Sequence, residues 1–344
     1  MKTSTPNFVI AGLLTVFAAT LVILTWREAP SAASSSPTTL MMADVIRRAE
    51  PISPLPADPQ LVDPRRAGLG ERLFHDPVLS VDYTISCASC HPLDRAGADG
   101  LPASRGVGGA PGTVNTPTVF NAALNFAQFW DGRAATLEEQ VAGPLHNPVE
   151  MGSSWSLVIK RLNKSDDYRS LFAELYPQGI SAETIADALA AFERSLLTPG
   201  ARFDQYLRGR TDALSADEIE GYARFKSLGC ASCHQGVNVG GNLFQRFGVM
   251  GDYFAEKGMS NPADLGRFNV TGREEDRYVF RVPSLRNVAL TAPYFHDGSV
   301  ETLDDAVEIM ARYQLGRPLT REDRRLLVAF LHTLSGSFRG APLK

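Results

Sequence analysis

The sequence Cys-Ala-Ser-Cys-His occurs twice in this chain, at residues 87–91 and again at residues 230–234. The two copies contain all four cysteines of the 344-residue chain. Two thiols at this spacing can form thioethers with the two vinyl groups of one haem, and the adjacent histidine can then reach the iron as its proximal ligand. The motifs therefore predict two covalently bound haem c groups, attached through Cys87, Cys90, Cys230 and Cys233 and ligated by His91 and His234.

Two other uses of these cysteines remain as alternatives. One is a structural disulfide in each motif, and the other is a zinc ion bound by two thiolates, the histidine and one further ligand. Either alternative requires two identical five-residue units to occur in a chain that has no other cysteine. Zinc is the better of the two, because a ligand from elsewhere in the chain could complete its coordination.

The N-terminus carries an uncharged and largely apolar run from Phe8 to Trp26. This run is longer than the core of a typical signal peptide, about 7 to 15 residues, and it falls within the about 17 to 25 residues that span a membrane. It therefore predicts an uncleaved transmembrane anchor. The alternative is a long signal peptide that is cleaved near residues 31–33. Both interpretations predict an exported protein, which agrees with haem attachment outside the cytoplasm.

Composition and length indicate a globular protein with two domains, and the two motifs place one haem in each. The chain is 44% hydrophobic and 21% charged, and it is long enough for two domains of about 150 residues each. Its formal net charge of -4 gives no basic surface for nucleic acid, so we expect no such partner. The predicted order is an anchor or signal segment (1–28), a linker (29–50), a first haem domain (51–205) and a second haem domain (206–344).

The sequence downstream of each motif is duplicated at one constant offset. Matching residues include Pro117, Asn121 and Phe129-Trp130-Asp131-Gly132 in the first copy and Pro283, Asn287 and Phe295-His296-Asp297-Gly298 in the second. This offset is larger than the one between the two motifs, because the second copy carries an insertion between Gly240 and Tyr278. Such a repeat indicates one structural unit written twice.

Helix signals dominate the chain. Residues 215–218 read Ser-Ala-Asp-Glu, a capping box that begins a helix directed at the second motif. Thr136 and Thr302 are matching caps in the two copies, while Ser181 and Thr320 begin helices with an apolar stripe. Little of the sequence alternates with period two. We therefore predict a mainly α fold with two cytochrome c-like haem domains related by duplication.

The sixth ligand of each iron decides what that haem can do, because methionine or histidine makes an electron-transfer centre and a vacancy makes a reaction centre. Met310 lies in the helix that Thr302 begins, and we predict that it ligates the second haem; Met250 and Met259 are alternatives. The first copy offers the acid Glu150 in this region instead. One haem is thus predicted to be closed and the other open.

The combination of these motifs resembles the bacterial dihaem cytochrome c peroxidases, a family that includes the MauG-type enzymes. The resemblance covers residues 61 to 336. It is carried by Leu-Phe-His-Asp-Pro at 73–77, residues 86–91, Ala-Gln-Phe-Trp-Asp-Gly-Arg at 127–133, Asn-Pro-Val-Glu-Met-Gly at 147–152, residues 281–290, and Pro-Tyr-Phe-His-Asp-Gly at 293–298.

The resemblance implies an enzyme that reduces hydrogen peroxide to water in the periplasm. Electrons would come from a small donor protein, either a c-type cytochrome or a cupredoxin, and enter at the second haem, which His234 and Met310 ligate. They would pass to the first, peroxidatic haem, whose proximal ligand is His91. The anchor at residues 8–26 would tether the enzyme to the inner membrane, and cleavage would instead release it into the periplasm. The family also implies a homodimer.

The resemblance further implies three catalytic residues and a metal site. Glu150 matches the distal acid of the peroxidatic haem, Gln140 its polar neighbour, and Trp130 an electron relay between the haems. A positioned carboxylate that moves protons contributes roughly 10² to 10⁴ in rate. The implied calcium ion would be bound by the Asn115 side chain and the backbone carbonyls of Thr291 and Pro293, since calcium prefers oxygen ligands.

One departure from the family concerns the loop after the first motif. Peroxidases of this family commonly block the peroxidatic iron with a histidine from this loop, and this sequence has Val107 at that position. We therefore predict that the first haem is open already in the oxidised protein. His75 and His146 are the remaining histidines that could replace the missing ligand.

Two other functions remain as alternatives. MauG-type enzymes also lack the blocking histidine, but they oxidise a partner protein and ligate the second haem with a tyrosine, where this chain has Met310. A membrane-tethered dihaem electron carrier would require a sixth ligand at both irons. The predicted asymmetry of the two haems favours the peroxidase.

Overall fold

The computed structural model describes Met1 and residues 50–56, 62–258 and 261–344. The predicted anchor at residues 8–26, most of the linker, and Met259 lie outside the described residues. Within the described ranges, no helix combines the length and the apolar character that crossing a membrane requires.

The fold is mainly helical, as the sequence predicts. In the first half the helices are α1 (Pro64–His75), α2 (Cys87–Cys90), α3 (Leu137–His146), α4 (Trp155–Leu162), α5 (Asp166–Leu175) and α6 (Ala182–Ser195). In the second half they are α7 (Arg202–Leu207), α8 (Ala216–Ser227), α9 (Tyr253–Lys257), α10 (Phe268–Thr271), α11 (Leu303–Ile309) and α12 (Arg321–His332). A single turn of π-helix, Met310–Gln314, continues α11.

The predicted helix caps are confirmed. Ser215 and Glu218 form the capping box of α8, and Ser181 and Thr320 cap α6 and α12 with their side-chain oxygens. Thr136 accepts a hydrogen bond from the Glu139 N–H at the start of α3, and Thr302 does the same for α11. Each cap satisfies a backbone donor that has no partner inside its helix.

Each half is built around one pair of crossing helices, and a glycine allows each crossing. A methyl group on Gly70 of α1 would lie 1.9 Å from the backbone oxygen of Ala188 in α6. In the second half, a methyl group on Gly221 of α8 would lie 2.1 Å from the oxygen of Leu326 in α12. The two helix pairs therefore approach in the same way, which confirms the internal duplication in three dimensions.

The two repeats meet at a buried polar network. Asn121 and Asn287, which are equivalent residues of the duplication, both have a positive φ of 62°. Their side chains both donate to the Thr198 hydroxyl, at 2.8 Å and 3.2 Å. All three residues are almost completely buried. Since unpaired buried polar groups are costly, this shared hydroxyl fixes how the repeats fit together.

Two segments, one around Ile52 and one around Phe338, each pack in the half that lies farther away in the sequence. Ile52 is 1% exposed and packs in the core of the second half, where it forms a parallel bridge with Gly236. Phe338 near the C-terminus packs against the first core, and its ring centroid lies 5.0 Å from that of Phe120. By sequence order each segment would be expected beside its own half.

Two short antiparallel strand pairs complete the described fold. Strand β1 (Phe244–Arg246) pairs with β2 (Val279–Arg281), with Phe244 opposite Arg281. These strands hold together the two ends of the inserted segment that follows the second motif. Strands β3 (Ser337–Phe338) and β4 (Ala341–Pro342) form the C-terminal hairpin.

Candidate haem sites and the cavity around His91

Each Cys-Ala-Ser-Cys-His motif borders a cavity of its own in the described part of the chain. The His91 cavity is lined by Cys87, Cys90 and His91 together with apolar side chains such as Phe74, Leu79 and Leu189. The His234 cavity is lined by Cys230, Cys233 and His234 together with apolar side chains such as Phe247, Leu327 and Leu331. Apolar walls with a histidine and two thiols are what a covalently attached haem requires.

The alternative uses of the cysteines do not fit the structure. All four cysteines carry free thiols and form no disulfide. Among the described residues, one group brings three metal-binding donor atoms within 4.8 Å of one another, and it consists of Asp264, His296 and Asp297 rather than either motif. The Lys257 ammonium contacts the carboxylates of Asp264 and Asp297, so this lysine already supplies a positive charge to the group. The motifs therefore remain as haem attachment sites.

The two predicted proximal histidines are half-buried and are held by similar turns. The Nδ1 atom of His91 lies 3.1 Å from the Gly97 carbonyl oxygen, so a proton on Nδ1 leaves Nε2 free to bind a metal. His234 Nδ1 faces the Val239 and Pro283 carbonyls but makes no hydrogen bond. Burial lowers the pKa of both histidines, that of His234 to about 4, which keeps both rings neutral and able to ligate.

The same face of two equivalent helices lines the two cavities. In α3 this face presents Gln140, Val141 and Pro144 to the His91 cavity. At the equivalent positions of the second repeat, Ala306, Val307 and Met310 face the His234 cavity. Met310 is where α11 changes into the π-helical turn. The predicted ligand Met310 thus lines the His234 cavity, and the equivalent position of the other half, Pro144, has no ligand atom.

Glu150 and Gln140, the predicted distal pair, lie together in the His91 cavity. Asn147 donates a hydrogen bond from Nδ2 to Glu150 Oε1 at 2.7 Å. Burial is the largest influence on Glu150 and raises the pKa of its carboxyl, while Asn147 and the Arg133 charge oppose this rise. A carboxyl that lines such a cavity and has a raised pKa can serve as a general acid or base there.

Trp130 lies at the boundary between the cavities. Its side chain lines the His234 cavity, and the preceding residue, Phe129, lines the His91 cavity. The Trp130 Nε1–H donates to the Asn115 carbonyl oxygen at 2.9 Å. Two consecutive residues therefore connect the two candidate haem sites.

The three residues predicted to bind calcium all border the His234 cavity: Asn115, Thr291 and Pro293. Asn115 is 7% exposed, and its Nδ2 donates to the Leu101 carbonyl oxygen at 2.9 Å. This hydrogen bond directs the amide nitrogen away and leaves Oδ1 as the free acceptor.

The remaining predicted positions lie away from the cavities. Val107 does not line the His91 cavity, although its N–H donates to the Glu150 carbonyl oxygen at 2.8 Å and so holds the backbone at Glu150. His75 and His146 are exposed and line neither cavity. Met250 is 62% exposed and does not line the His234 cavity, so it is not in a position to ligate. Of the described histidines, His91 alone lines its cavity.

Four other residues line the His91 cavity or contact its acid, and sequence reasoning assigned them no role. Arg133 and Asn147 act on Glu150, and both belong to blocks that carried the family resemblance. Glu193 lies on the apolar face of α6, where an acid is unexpected. An acid at this position of the apolar stripe is the feature of the sequence that could have identified it as a cavity residue. Arg281 lines both cavities, and its position is the duplicate of Asn115.

Two equivalent cavities, each built around a haem-attachment motif, define a dihaem c-type cytochrome. Residues 64–212 match the model of the di-haem cytochrome c peroxidase family. The chain is 46% identical to the cytochrome c551 peroxidase of Nitrosomonas europaea over 86% of both chains. It therefore belongs to the di-haem cytochrome c peroxidase family.

Two further relatives agree with this assignment. The cytochrome c peroxidase Ccp of Escherichia coli is 51% identical over 85% of this chain, and the match spans 62% of the length of that relative. The crystal structure of a MauG-like protein associated with microbial copper homeostasis has a TM-score of 0.71 and 32% identity, and covers 83% of this chain and 93% of that protein.

Proposed function

We propose that this protein is a cytochrome c peroxidase that reduces hydrogen peroxide at the His91 cavity with electrons received at the His234 cavity. The asymmetry of two otherwise equivalent helices carries the proposal. One presents Met310, whose sulfur can ligate a haem iron. The other presents Gln140 and Pro144 beside Glu150, whose carboxyl can transfer protons but is not a thioether ligand. Family membership and relatives named as peroxidases support the same activity.

Cys87, Cys90 and His91 would hold the haem of the reaction site, and when bound this haem supplies an iron that can bind peroxide and deliver electrons. Glu150 as carboxylate accepts the proton of the entering peroxide and then returns it to the departing oxygen. Gln140 donates or accepts a hydrogen bond beside it. The overall reaction consumes two electrons and two protons for each peroxide and forms two water molecules.

The second site would serve electron entry. His234 and Met310 would ligate its haem, and a thioether ligand raises the potential of a haem. Trp130 lies between the cavities and would relay electrons through its ring. Its indole N–H is fixed by the Asn115 carbonyl, so the ring is held in one orientation.

The donor and the location follow from the same proposal. An exported enzyme in the periplasm would receive electrons from a small c-type cytochrome or a cupredoxin. The apolar run at residues 8–26 would tether it to the inner membrane, or be cleaved as a signal peptide to release it. A homodimer belongs to this proposal as well. Fractionation of cells that make the full chain tests the location, and equilibrium sedimentation of the purified protein tests the dimer.

We also propose a calcium ion at Asn115, Thr291 and Pro293. The free Oδ1 of the buried Asn115 and the two carbonyls provide oxygen donors that suit this ion. Metal analysis of the purified protein should find calcium, and Asn115→Ala should lose it and lower the melting temperature. Calcium that stays bound in this variant at the wild-type amount would disprove the assignment.

The decisive experiment is peroxide consumption by the full haem-loaded protein with a reduced cytochrome or cupredoxin. Glu150→Gln should lower kcat by about 10² to 10⁴ while haem content stays constant. Glu174→Gln, an exposed acid with a 62% exposed side chain, is the matched control and should keep full turnover. A protein that is fully loaded with haem but does not consume peroxide would refute the proposed function.

The open state of the first haem is tested by spectroscopy of the oxidised protein. With Val107 outside the cavity and no second histidine lining it among the described residues, a high-spin ferric signal should come from one haem as isolated. Two low-spin haems would contradict this proposal. They would also favour the electron-carrier alternative.

A further inference from the structure

Asn115 and Arg281 form a reciprocal pair at the interface of the two repeats, and they are equivalent positions of the duplication. The Asn115 N–H donates to the His296 carbonyl oxygen at 2.8 Å, and the Arg281 N–H donates to the Trp130 carbonyl oxygen at 2.9 Å. Trp130 and His296 are themselves equivalent. Each repeat thus holds the other through the same backbone hydrogen bond.

The side chains of this pair differ in charge, and the charged one, Arg281, lacks in the described part of the chain the partner that a buried arginine usually has. Arg281 is 4% exposed, and its side chain makes one hydrogen bond, from Nε to the Phe129 carbonyl oxygen at 3.1 Å. No carboxylate among the described residues pairs with it. By contrast, Arg286, which is also buried, makes two hydrogen bonds to the Asp204 carboxylate.

A buried guanidinium without an anion is unfavourable, and the surroundings of Arg281 show this cost. Burial alone lowers the pKa of Arg281 to about 10, and no neighbouring charge opposes it. The group is still a cation at neutral pH. Arginine in such a position is normally matched by a carboxylate or phosphate, which it can bind with two parallel hydrogen bonds.

The location of Arg281 indicates where the missing anion comes from. Its side chain borders both the His91 cavity and the His234 cavity, together with Thr116, Thr118 and Asn125. These three residues, which also line both cavities, are neutral. Each haem c carries two propionate carboxylates, and they are the anions that these cavities receive when the haems attach.

We propose that Arg281 binds a haem propionate in the wall between the two cavities and acts as a positioning residue for that haem. The inference rests on haem attachment and not on peroxide turnover. The guanidinium would neutralise the carboxylate and fix the edge of the haem relative to Phe129 and Trp130, whose carbonyl oxygens Arg281 also binds.

The duplication gives this assignment a second aspect. At the equivalent position in the other repeat stands Asn115, the proposed calcium ligand. One repeat would therefore meet the negative charge of the haems with a metal ion, and the other would meet it with a built-in cation. The charge of Arg281 should also favour the reduced haem, because a reduced iron carries one positive charge less than an oxidised one.

The test measures the reduction potentials of the haem-loaded protein. Arg281→Gln should lower the potential of at least one haem so that its reduction equilibrium changes about tenfold, which is about 59 mV for one electron. Arg281→Lys keeps the charge and should show a smaller decrease. Arg277→Gln is the control, because Arg277 pairs with the exposed Glu274 and should leave both potentials unchanged.

A merely structural arginine would behave differently. If Arg281→Gln lowered the melting temperature but left both potentials at their wild-type values, the proposal would be wrong. Should this variant fail to accumulate with two haems, Arg281→Lys decides through the propionate bending bands in resonance Raman spectra. A shift of these bands is expected, and bands and potentials identical to those of the wild type would overturn the proposal.

Discussion

Pro144 and Met310 occupy equivalent positions of the two repeats, and each lines the cavity of its own half. The helices that carry them begin with equivalent threonine caps and present the same face. A single position therefore separates a helix that can supply a thioether from one that cannot. Under the proposed function, we expect this difference to give two similar cavities different chemistry without a change of fold.

The role of Met310 can be measured directly. Met310→Leu keeps the apolar volume but removes the sulfur, so the potential of the second haem should fall by on the order of 100 mV. The sulfur-to-iron charge-transfer band should disappear from the ferric spectrum. The exposed Met250→Leu is the control and should change neither property. A persisting band in Met310→Leu would mean that a different residue ligates this iron.

The proposed role of Glu150 predicts that its hydrogen bond with Asn147 sets the acid limb of the pH–rate profile. Asn147 stabilises the carboxylate and lowers its pKa against the larger effect of burial. In Asn147→Ala the pKa of Glu150 should rise further, so the acid limb of kcat/KM should move to higher pH. Turnover should fall roughly tenfold on the acid side and match the wild type at alkaline pH. An equal loss at every pH would instead indicate damage to the cavity.

The α1–α6 crossing provides a test of packing. Gly70→Ala places a methyl group against the Ala188 oxygen and should lower the free energy of unfolding by about 1–3 kcal/mol. Gly68 lies in the same helix, and a methyl group there would meet nothing within 4 Å. Gly68→Ala should therefore stabilise the protein by about 0.5–1 kcal/mol. Urea unfolding of both variants measures the difference, and equal effects would contradict the close crossing.

Glu193 should make stability depend on pH. Burial raises the pKa of its carboxyl from 4.5 to about 7, although the Arg194 charge opposes this rise. The unfolded chain loses this proton first, so the contribution of Glu193 to stability should be fully present below pH 4.5 and should be lost as the pH rises through about 7.

The matching variant removes this dependence. Glu193→Gln should be as stable as the wild type near pH 4 and more stable above pH 7 by roughly 3 kcal/mol. Thermal unfolding of the haem-loaded proteins at several pH values tests this, with the exposed Glu174→Gln as control. A wild-type protein whose stability rises between pH 4.5 and 7 by the same amount as the variant would contradict the assignment.

Much of the local structure could be predicted from the sequence, because short-range signals determine it. The caps at Thr136, Ser215 and Thr320 depend on residues within one helical turn. The pairing of Glu150 with Gln140 was implied by the family resemblance, and both lie in the His91 cavity.

Other features were not predictable, since they depend on contacts between distant segments. Nothing near Ile52 indicates that it belongs to the core of the second half. The lack of a carboxylate beside Arg281 becomes visible once the two repeats are placed together, because its neighbours come from both of them. Glu193 was hidden in a helix that otherwise has an ordinary apolar stripe.

The packing of residues 50–56 on the second half and of Phe338 on the first half affects when each half can fold during synthesis. Residues 50–56 leave the ribosome before any part of the second half exists, yet Ile52 and Leu55 are almost fully buried, Ile52 within that core. Phe338, which follows the whole second half in the chain, completes the first core. The first half therefore cannot complete its interior until the second half has been made, while residues 50–56 must stay available for the second core until it forms.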